Sequence, residues 1–170
     1  MGSSLEVSLI NEGSILKDMG SYKNTLLSYF INSEDICELM FNKKPYTEKD
    51  VDNLIYSQIF PYLYVDDTQN EVLPYLCIEV GVPRISTGTI KDMKLIIWTY
   101  CHKDSMRYYK KGYSGTKVDI LADMVERVLR ESNKFGIGKL QLISCEHFFP
   151  NSKYYGKQLV YNMPDFKVKG

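Results

Sequence analysis

The chain has 170 residues, which at roughly 100–200 residues per domain points to one globular domain. Apolar residues make up 44% and charged residues 25%, an ordinary soluble composition that excludes a disordered, collagenous or coiled-coil chain. Lys and Arg total 21 and Asp and Glu total 21, so the formal net charge is zero; a dominant phosphate-binding surface would leave a basic excess, which disfavours nucleic acid as the main partner.

Residues 1–20 read as an N-terminal arm, with Gly13 and Gly20 in a stretch of little periodicity. Residues 21–170 read as a single α+β domain. Residues 21–32 have helical spacing, with Leu26, Leu27, Phe30 and Ile31 on one side. Ser33 followed by Glu34 and Asp35 starts a second helix, because a side-chain oxygen and acidic groups suit the free amides of the first turn. Its apolar stripe is Ile36, Leu39 and Met40, and Pro45 ends the stretch. Thr47 with Asp50 three residues later resembles a capping box, Asp standing in for Glu or Gln. Val51, Leu54 and Ile55 then carry a third helix to about Gln58.

The character changes at Ile59. Residues 59–65 are aromatic and extended, and residues 66–70 form a polar turn. Residues 74–82 alternate as a strand, with Leu76, Ile78 and Val80 on one face and Tyr75, Cys77 and Glu79 on the other. Residues 83–88 are rich in chain breakers. Residues 90–102 are the strongest strand, Met93, Leu95, Ile97 and Thr99 alternating with Lys94, Ile96, Trp98 and Tyr100; its length suggests a projecting hairpin or ribbon. Residues 103–116 form a loop. The clearest helix follows, with Val118, Leu121, Ala122, Val125, Val128 and Leu129 on its buried face and Asp119, Asp123, Glu126, Arg127 and Arg130 on its wet one. Gly136 is a plausible stop. Two strands, about residues 139–148 and 157–163, close the chain around Pro150-Asn151-Ser152. This order predicts an α+β fold: an antiparallel sheet packed by one face on one long amphipathic helix, with additional N-terminal helices.

The chain carries 14 Tyr, and 17 Lys against 4 Arg, the usage of an AT-rich coding genome; Tyr is also enriched where protein surfaces meet. Cys37, Cys77, Cys101 and Cys145 show no C-x-x-C spacing, and Cys77 and Cys101 lie in apolar strand runs, which suits buried reduced thiols in an intracellular chain. No secretory leader or membrane span is visible, and Glu6 stands where myristoylation wants Ser or Thr.

Catalytic patterns are weak. His102 and His147 each follow a strand and lack a fixed acidic partner, so polar strand-end roles are expected over a metal site. Asp66, Asp67, Glu71 and Glu79, with Lys91 or Lys94, could form a nuclease-like set, but Glu79 is followed by Val80 and Gly81, so the Glu-x-Lys that flanks one phosphate is missing. No Gly-x-Ser-x-Gly elbow or phosphate loop occurs, and the Gly136-x-Gly138 pair follows a helix instead of opening one. No metal, cofactor or catalytic residue is assigned. The loop Met106-Arg107-Tyr108-Tyr109-Lys110-Lys111-Gly112-Tyr113 interleaves cations with aromatics, which suits a partner contact, base stacking or a merely exposed loop.

In element order the chain resembles the tail-terminator, or tail-completion, proteins of long-tailed bacteriophages and phage-tail-like particles. The resemblance covers about residues 54–167. It runs from the helix near residues 51–58 through Pro74-Tyr75-Leu76-Cys77-Ile78-Glu79-Val80, the long strand at 93–101, the loop, the helix at 117–131 with its Val-x-x-Leu-Ala-x-x-Val stripe, and the hairpin at 140–163. The segment at 21–44 and the first 20 residues exceed that compact core. The resemblance implies a non-enzyme without cofactors. It implies a six-fold homo-oligomeric ring that caps the tail tube, contacts the tube protein and presents a surface to the head–tail connector or neck protein. It would sit in the virion after assembly in the host bacterial cytoplasm, touch no membrane, and meet nucleic acid only incidentally in the tail lumen. Tyr108, Tyr109, Lys110, Lys111 and Tyr113 are the candidate ring or partner contact, on their residue chemistry and not on a family motif. A head-closure or neck protein is the alternative at the same junction, and a metal-dependent nuclease the alternative of another class.

Overall fold

A computed structural model describes residues 15–68, 70–82, 92–131 and 140–164. The expected arm up to residue 14, the turn at 83–88, Lys91, Gly136 and Gly138 lie outside the described residues. Helices α1 (Ile15–Ile31), α2 (Glu34–Met40) and α3 (Glu48–Asp52) precede the strands β1 (Ile59–Phe60), β2 (Pro74–Gly81) and β3 (Asp92–His102). A short 3-10 turn at Lys103–Ser105, helix α4 (Lys117–Glu131) and strands β4 (Gln141–Phe148) and β5 (Tyr154–Pro164) complete the order. The fold is α+β. The five strands lie in the order β1-β2-β3-β5-β4.

Local rules place the first helices. Ser33 caps α2, its side chain accepting from the Ile36 amide. Thr47 and Asp50 form a reciprocal capping box on α3. Two boundaries differ from expectation. Helix α1 begins at Ile15, six residues before Ser21, so Gly20 lies inside a helix. Helix α3 stops at Asp52, because Tyr56 adopts a left-handed backbone (φ 69°) and the chain turns into β1.

The alternation expected in β2 and β3 holds. Leu76, Ile78 and Val80 share one buried cluster with Met93, Leu95 and Ile97, while Tyr75 and Cys77 share another with Trp98 and Tyr100. The length of β3 has a cause other than projection. It is the central strand, antiparallel to β2 over residues 94–101 and to β5 along its whole length. Both its faces are therefore buried and must be covered.

Helices α1, α2 and α4 cover one face, burying Leu26, Phe30, Ile36, Leu39, Leu121 and Val125 against the sheet. Ile120 and Met124 are buried on α4 beyond the expected stripe, since the helix touches α1 and α2 as well as the sheet. Tyr161 Oη donates to Glu126, and Lys157 pairs with Asp119 at 3.0 Å, tying β5 to α4. The second face is covered by the chain between β1 and β2. Only Ile59 and Phe60 of the expected extended run pair with the sheet, and they do so parallel to β2. The rest crosses the aromatic face: Tyr64 stacks on Phe60 with ring centroids 4.3 Å apart, and its carbonyl accepts from Tyr100 Oη. A segment that covers a face with large rings cannot also lie in the ladder as a strand.

Gly156 sits where β5 crosses Tyr100 on β3, and a Cβ there would meet the Thr99 carbonyl oxygen at 2.1 Å. Backbone on the far side leaves no soft neighbour to give way. Gly156→Ala is expected to destabilise the fold by at least about 1–3 kcal/mol, the usual cost of overpacking, as measured by urea unfolding. Leu121→Asp places an unpaired carboxylate at a fully buried position. That substitution should cost on the order of several kcal/mol and leave no cooperative unfolding transition by circular dichroism. A native-like transition would show that the buried face of α4 is misassigned.

Candidate functional site

The loop between β3 and α4 is built from both ends. At its start His102 Nδ1 accepts from the Asp104 amide at 3.1 Å and closes the 3-10 turn. At its end Thr116 and Asp119 bond reciprocally, the Thr116 amide to Asp119 Oδ2 at 2.8 Å, and cap α4. Gly115, at φ 105°, lies so close to Asp119 that a Cβ would meet Oδ2 at 2.7 Å.

The five candidate contact residues divide into two groups. Three turn inward. Lys110 reaches Glu38 at 3.0 Å and Asp35 at 3.3 Å on α2, and these bonds raise its pKa. Tyr113 Oη donates to Asp35 at 2.8 Å, and Arg127 of α4 stacks over the Tyr113 ring at 4.0 Å while donating to the Gly112 carbonyl. Tyr108 packs against the helical core, its ring between Lys43 and Lys117, and burial pushes its phenol up to about 12. Two turn outward: Tyr109, 74% exposed, and Lys111. Lys43 holds the Tyr109 backbone by a 2.5 Å bond to its carbonyl and lies 5.9 Å from the centroid of the exposed ring. Of these five residues the fastened loop presents one Tyr and one Lys, while Lys103 and Arg107 nearer its start are exposed as well. Sequence reasoning missed its clamps: Asp35 and Glu38, three apart on one face of α2, and Lys43 and Arg127.

The other candidates have local partners. His147 Nδ1 lies 3.1 Å from Tyr155 Oη, far from the His102 turn along the ladder. Asp66 is buried and organises its own turn. It accepts from the Thr68 hydroxyl at 2.8 Å, from the Thr68, Asn70 and Glu71 amides, and from Tyr154 Oη at 3.5 Å. The Thr68 hydroxyl is the main cause that holds its pKa below the usual carboxylate range. Glu79 pairs with Lys23 of α1 at 2.5 Å, so the expected acidic set is split between a turn and a strand–helix clasp. Cys37, Cys77 and Cys101 are buried free thiols pushed up to about 11, 12 and 12 by desolvation, while Cys145 is exposed.

One feature of the surface has no counterpart in the sequence reading. Strand β4 is an edge strand exposed on both faces, with Ile143 57% exposed at a bulge where Leu142 and Ser144 oppose Tyr161 and Val160. Leu142 beside it and Phe149 just past the far end of the strand are exposed too. At the opposite edge Tyr56, Tyr62 and Leu63 lie exposed beside β1. The closing strands were legible, but the exposure of both faces of β4 among the described residues is a tertiary fact.

Residues 33–163 match the model of the family described as YomW. The chain belongs to the YomW family. The family segment runs from the Ser33 cap of α2 through β5, so α2 and α3 belong to the family unit. The family name is phage-derived, which makes this a phage-related chain at that coarse level. No curated protein matches it. Among the described residues, no helix of this YomW-family chain is long and apolar enough to cross a membrane.

Asp35→Ala removes the acceptor of Tyr113 and one partner of Lys110. It should cost only about 1 kcal/mol, since both groups are partly solvent-screened, yet raise hydrogen exchange of the 106–114 backbone selectively. Asp66 has a lowered folded pKa, so its stabilisation is complete above an unfolded value of about 3.9 and fades as pH falls through the folded value. Asp66→Ala should therefore flatten the acid limb of stability below about pH 4, read as thermal midpoint against pH.

Proposed function

We propose that this phage-related chain is a structural protein of a phage or phage-like particle. In this reading it forms a closed ring at the head–tail junction that ends the tail tube and meets the head or neck connector. The observation that carries the reading is the pair of unlike apolar patches at opposite edges of one sheet: Tyr56, Tyr62 and Leu63 beside β1, and Leu142, Ile143 and Phe149 on and after β4. A ring closed by rotation needs two different complementary surfaces on each copy, whereas a two-fold dimer needs one surface used twice. Four inter-strand steps of about 4.8 Å put these edges roughly 19 Å apart, so one copy can meet a neighbour on each side.

The loop platform supplies a third surface. With Lys110 and Tyr113 clamped to α2, Tyr109 and Lys111 are held out without an ordering cost on contact, a favourable anchor and rim for the tube or connector protein. The buried reduced thiols agree with assembly in a reducing cytoplasm.

The test uses two variants with opposite dead edges, Ile143→Glu and Tyr62→Glu, in light scattering over a concentration series. The wild-type chain of 19.7 kDa should reach about 118 kDa for six copies at high concentration. Each variant alone should stay monomeric, and the two mixed should form a 1:1 dimer of about 39 kDa through their intact edges. A variant that dimerises alone while the mixture gains nothing would replace the ring with a two-fold pair. Tyr109→Ala with Lys111→Ala should leave the unfolding free energy within about 0.5 kcal/mol of wild type, since both side chains are exposed. It should not alter self-assembly but should weaken capture of the tube or connector protein.

A further inference from the structure

A cavity of about 420 Å³ opens beside the 3-10 turn, where the end of α2 approaches the start of α4. Its lining holds three cations, Lys103, Arg107 and Lys117, against one carboxylate, Asp104, together with Asn42 and Ser105. Lys117 is the unusual member. It is 1% exposed, and its ammonium donates to Ser105 Oγ at 2.6 Å with no carboxylate in ion-pair range among the described residues. It occupies the first position of α4, where the helix dipole also opposes positive charge. Desolvation lowers its pKa accordingly. A buried cation without a counter-ion is strongly unfavourable, and a chain whose Lys117 served packing alone would do better with an apolar residue.

The neighbours are equally unspent. Arg107 and Lys103 are exposed, and neither side chain has an ion-pair partner among the described residues. Asp104 also lines the cavity, with Oδ2 3.6 Å from His102 Nδ1 and its side chain 82% exposed. Asn42 sits in a left-handed turn (φ 52°) with its side-chain amide unpartnered among the described residues. Ser105 accepts from Lys117, so its own hydroxyl proton is left to donate into the cavity, passing the buried charge outward.

We propose that this cavity binds the phosphoryl dianion of free phosphate or of a small phosphate monoester. Arg107 supplies a two-pronged donor and Lys103 a point charge, Asn42 and Ser105 supply neutral donors, and Lys117 is the buried counter-charge behind Ser105. The lining has a surplus of two positive charges, which matches the charge of about −1.5 to −2 on a phosphate monoester near pH 7. A backbone diester of nucleic acid carries about half of that charge. The site lies at the start of the loop whose later residues Tyr109 and Lys111 face outward.

The test is isothermal titration of the whole chain with inorganic phosphate and, separately, with adenosine monophosphate, at fixed ionic strength in chloride. Saturable one-to-one binding is expected. Arg107→Ala and Lys103→Ala should each weaken it at least tenfold without moving the ligand-free thermal midpoint. Lys117→Met should keep or raise the ligand-free midpoint and lose binding. Tighter binding of the nucleotide than of phosphate would assign a phosphate ester as occupant; equal or weaker binding would assign the free ion. No saturable binding of either probe, or an equal thermal shift in wild type and Arg107→Ala from general salt exclusion, would overturn the site. If Lys117→Met does not fold, the two exposed variants decide the matter alone.

Discussion

The two-sided burial of β3 is the constraint from which the rest of the architecture follows. A strand hydrogen-bonded to β2 on one edge and β5 on the other, with apolar side chains on both faces, leaves little surface for water beyond Lys94. Each face then demands its own cover. Helices meet the demand on the aliphatic side, where Met93, Leu95 and Ile97 offer a smooth surface to α4 and its neighbours. On the other side Trp98 and Tyr100 offer large rings, and these are met by rings: Tyr75 stacks on Tyr100 at 5.0 Å, and Tyr154 and Phe148 pack around them. Aromatic hydroxyls need partners when buried, and they take them from backbone carbonyls of the covering chain, Tyr64 for Tyr100 and Glu71 for Tyr154.

That arrangement fixes where the surface remains available. The sheet is covered over its centre and over β1, whose two residues are buried, and is exposed at β4. Strand β1 is two residues long, and β4 has neither a helix over it nor a strand beyond it among the described residues. Exposed long edges invite pairing and are commonly blunted in monomeric proteins. Here the bulge at Ile143 disturbs simple ladder extension while setting an apolar side chain outward, as suits a side-chain contact between copies more than an open-ended sheet. The loop before α4 follows the opposite logic. Lys110 is held by α2 and the Gly112 carbonyl by Arg127 of α4, so this part of the loop has a definite shape, while Lys103, Arg107 and Lys111 stay exposed.

Some features were fixed by the chain's local chemistry alone. Ser33, Thr47 and Asp50 act through bonds spanning three residues, so their helix starts could be read from spacing. The two faces of β2 and β3 follow from a period of two, and the stripe of α4 from a period of 3.6; neither depends on what lies opposite. The α+β class, the antiparallel hairpins and the buried thiols of Cys77 and Cys101 were legible for that reason. What only the tertiary structure decided are relations between residues far apart in sequence. These include the parallel pairing of Ile59 and Phe60 with β2, the central place of β3, the clamping of Lys110 by α2, and the burial of Lys117 beside a cavity. Tyr108 and Tyr109 are neighbours of one type, yet one packs inward and the other faces water. Nothing local distinguishes them, because that choice is made by Lys43, Glu38 and Asp35, which reach the loop only after the helices have docked on the sheet.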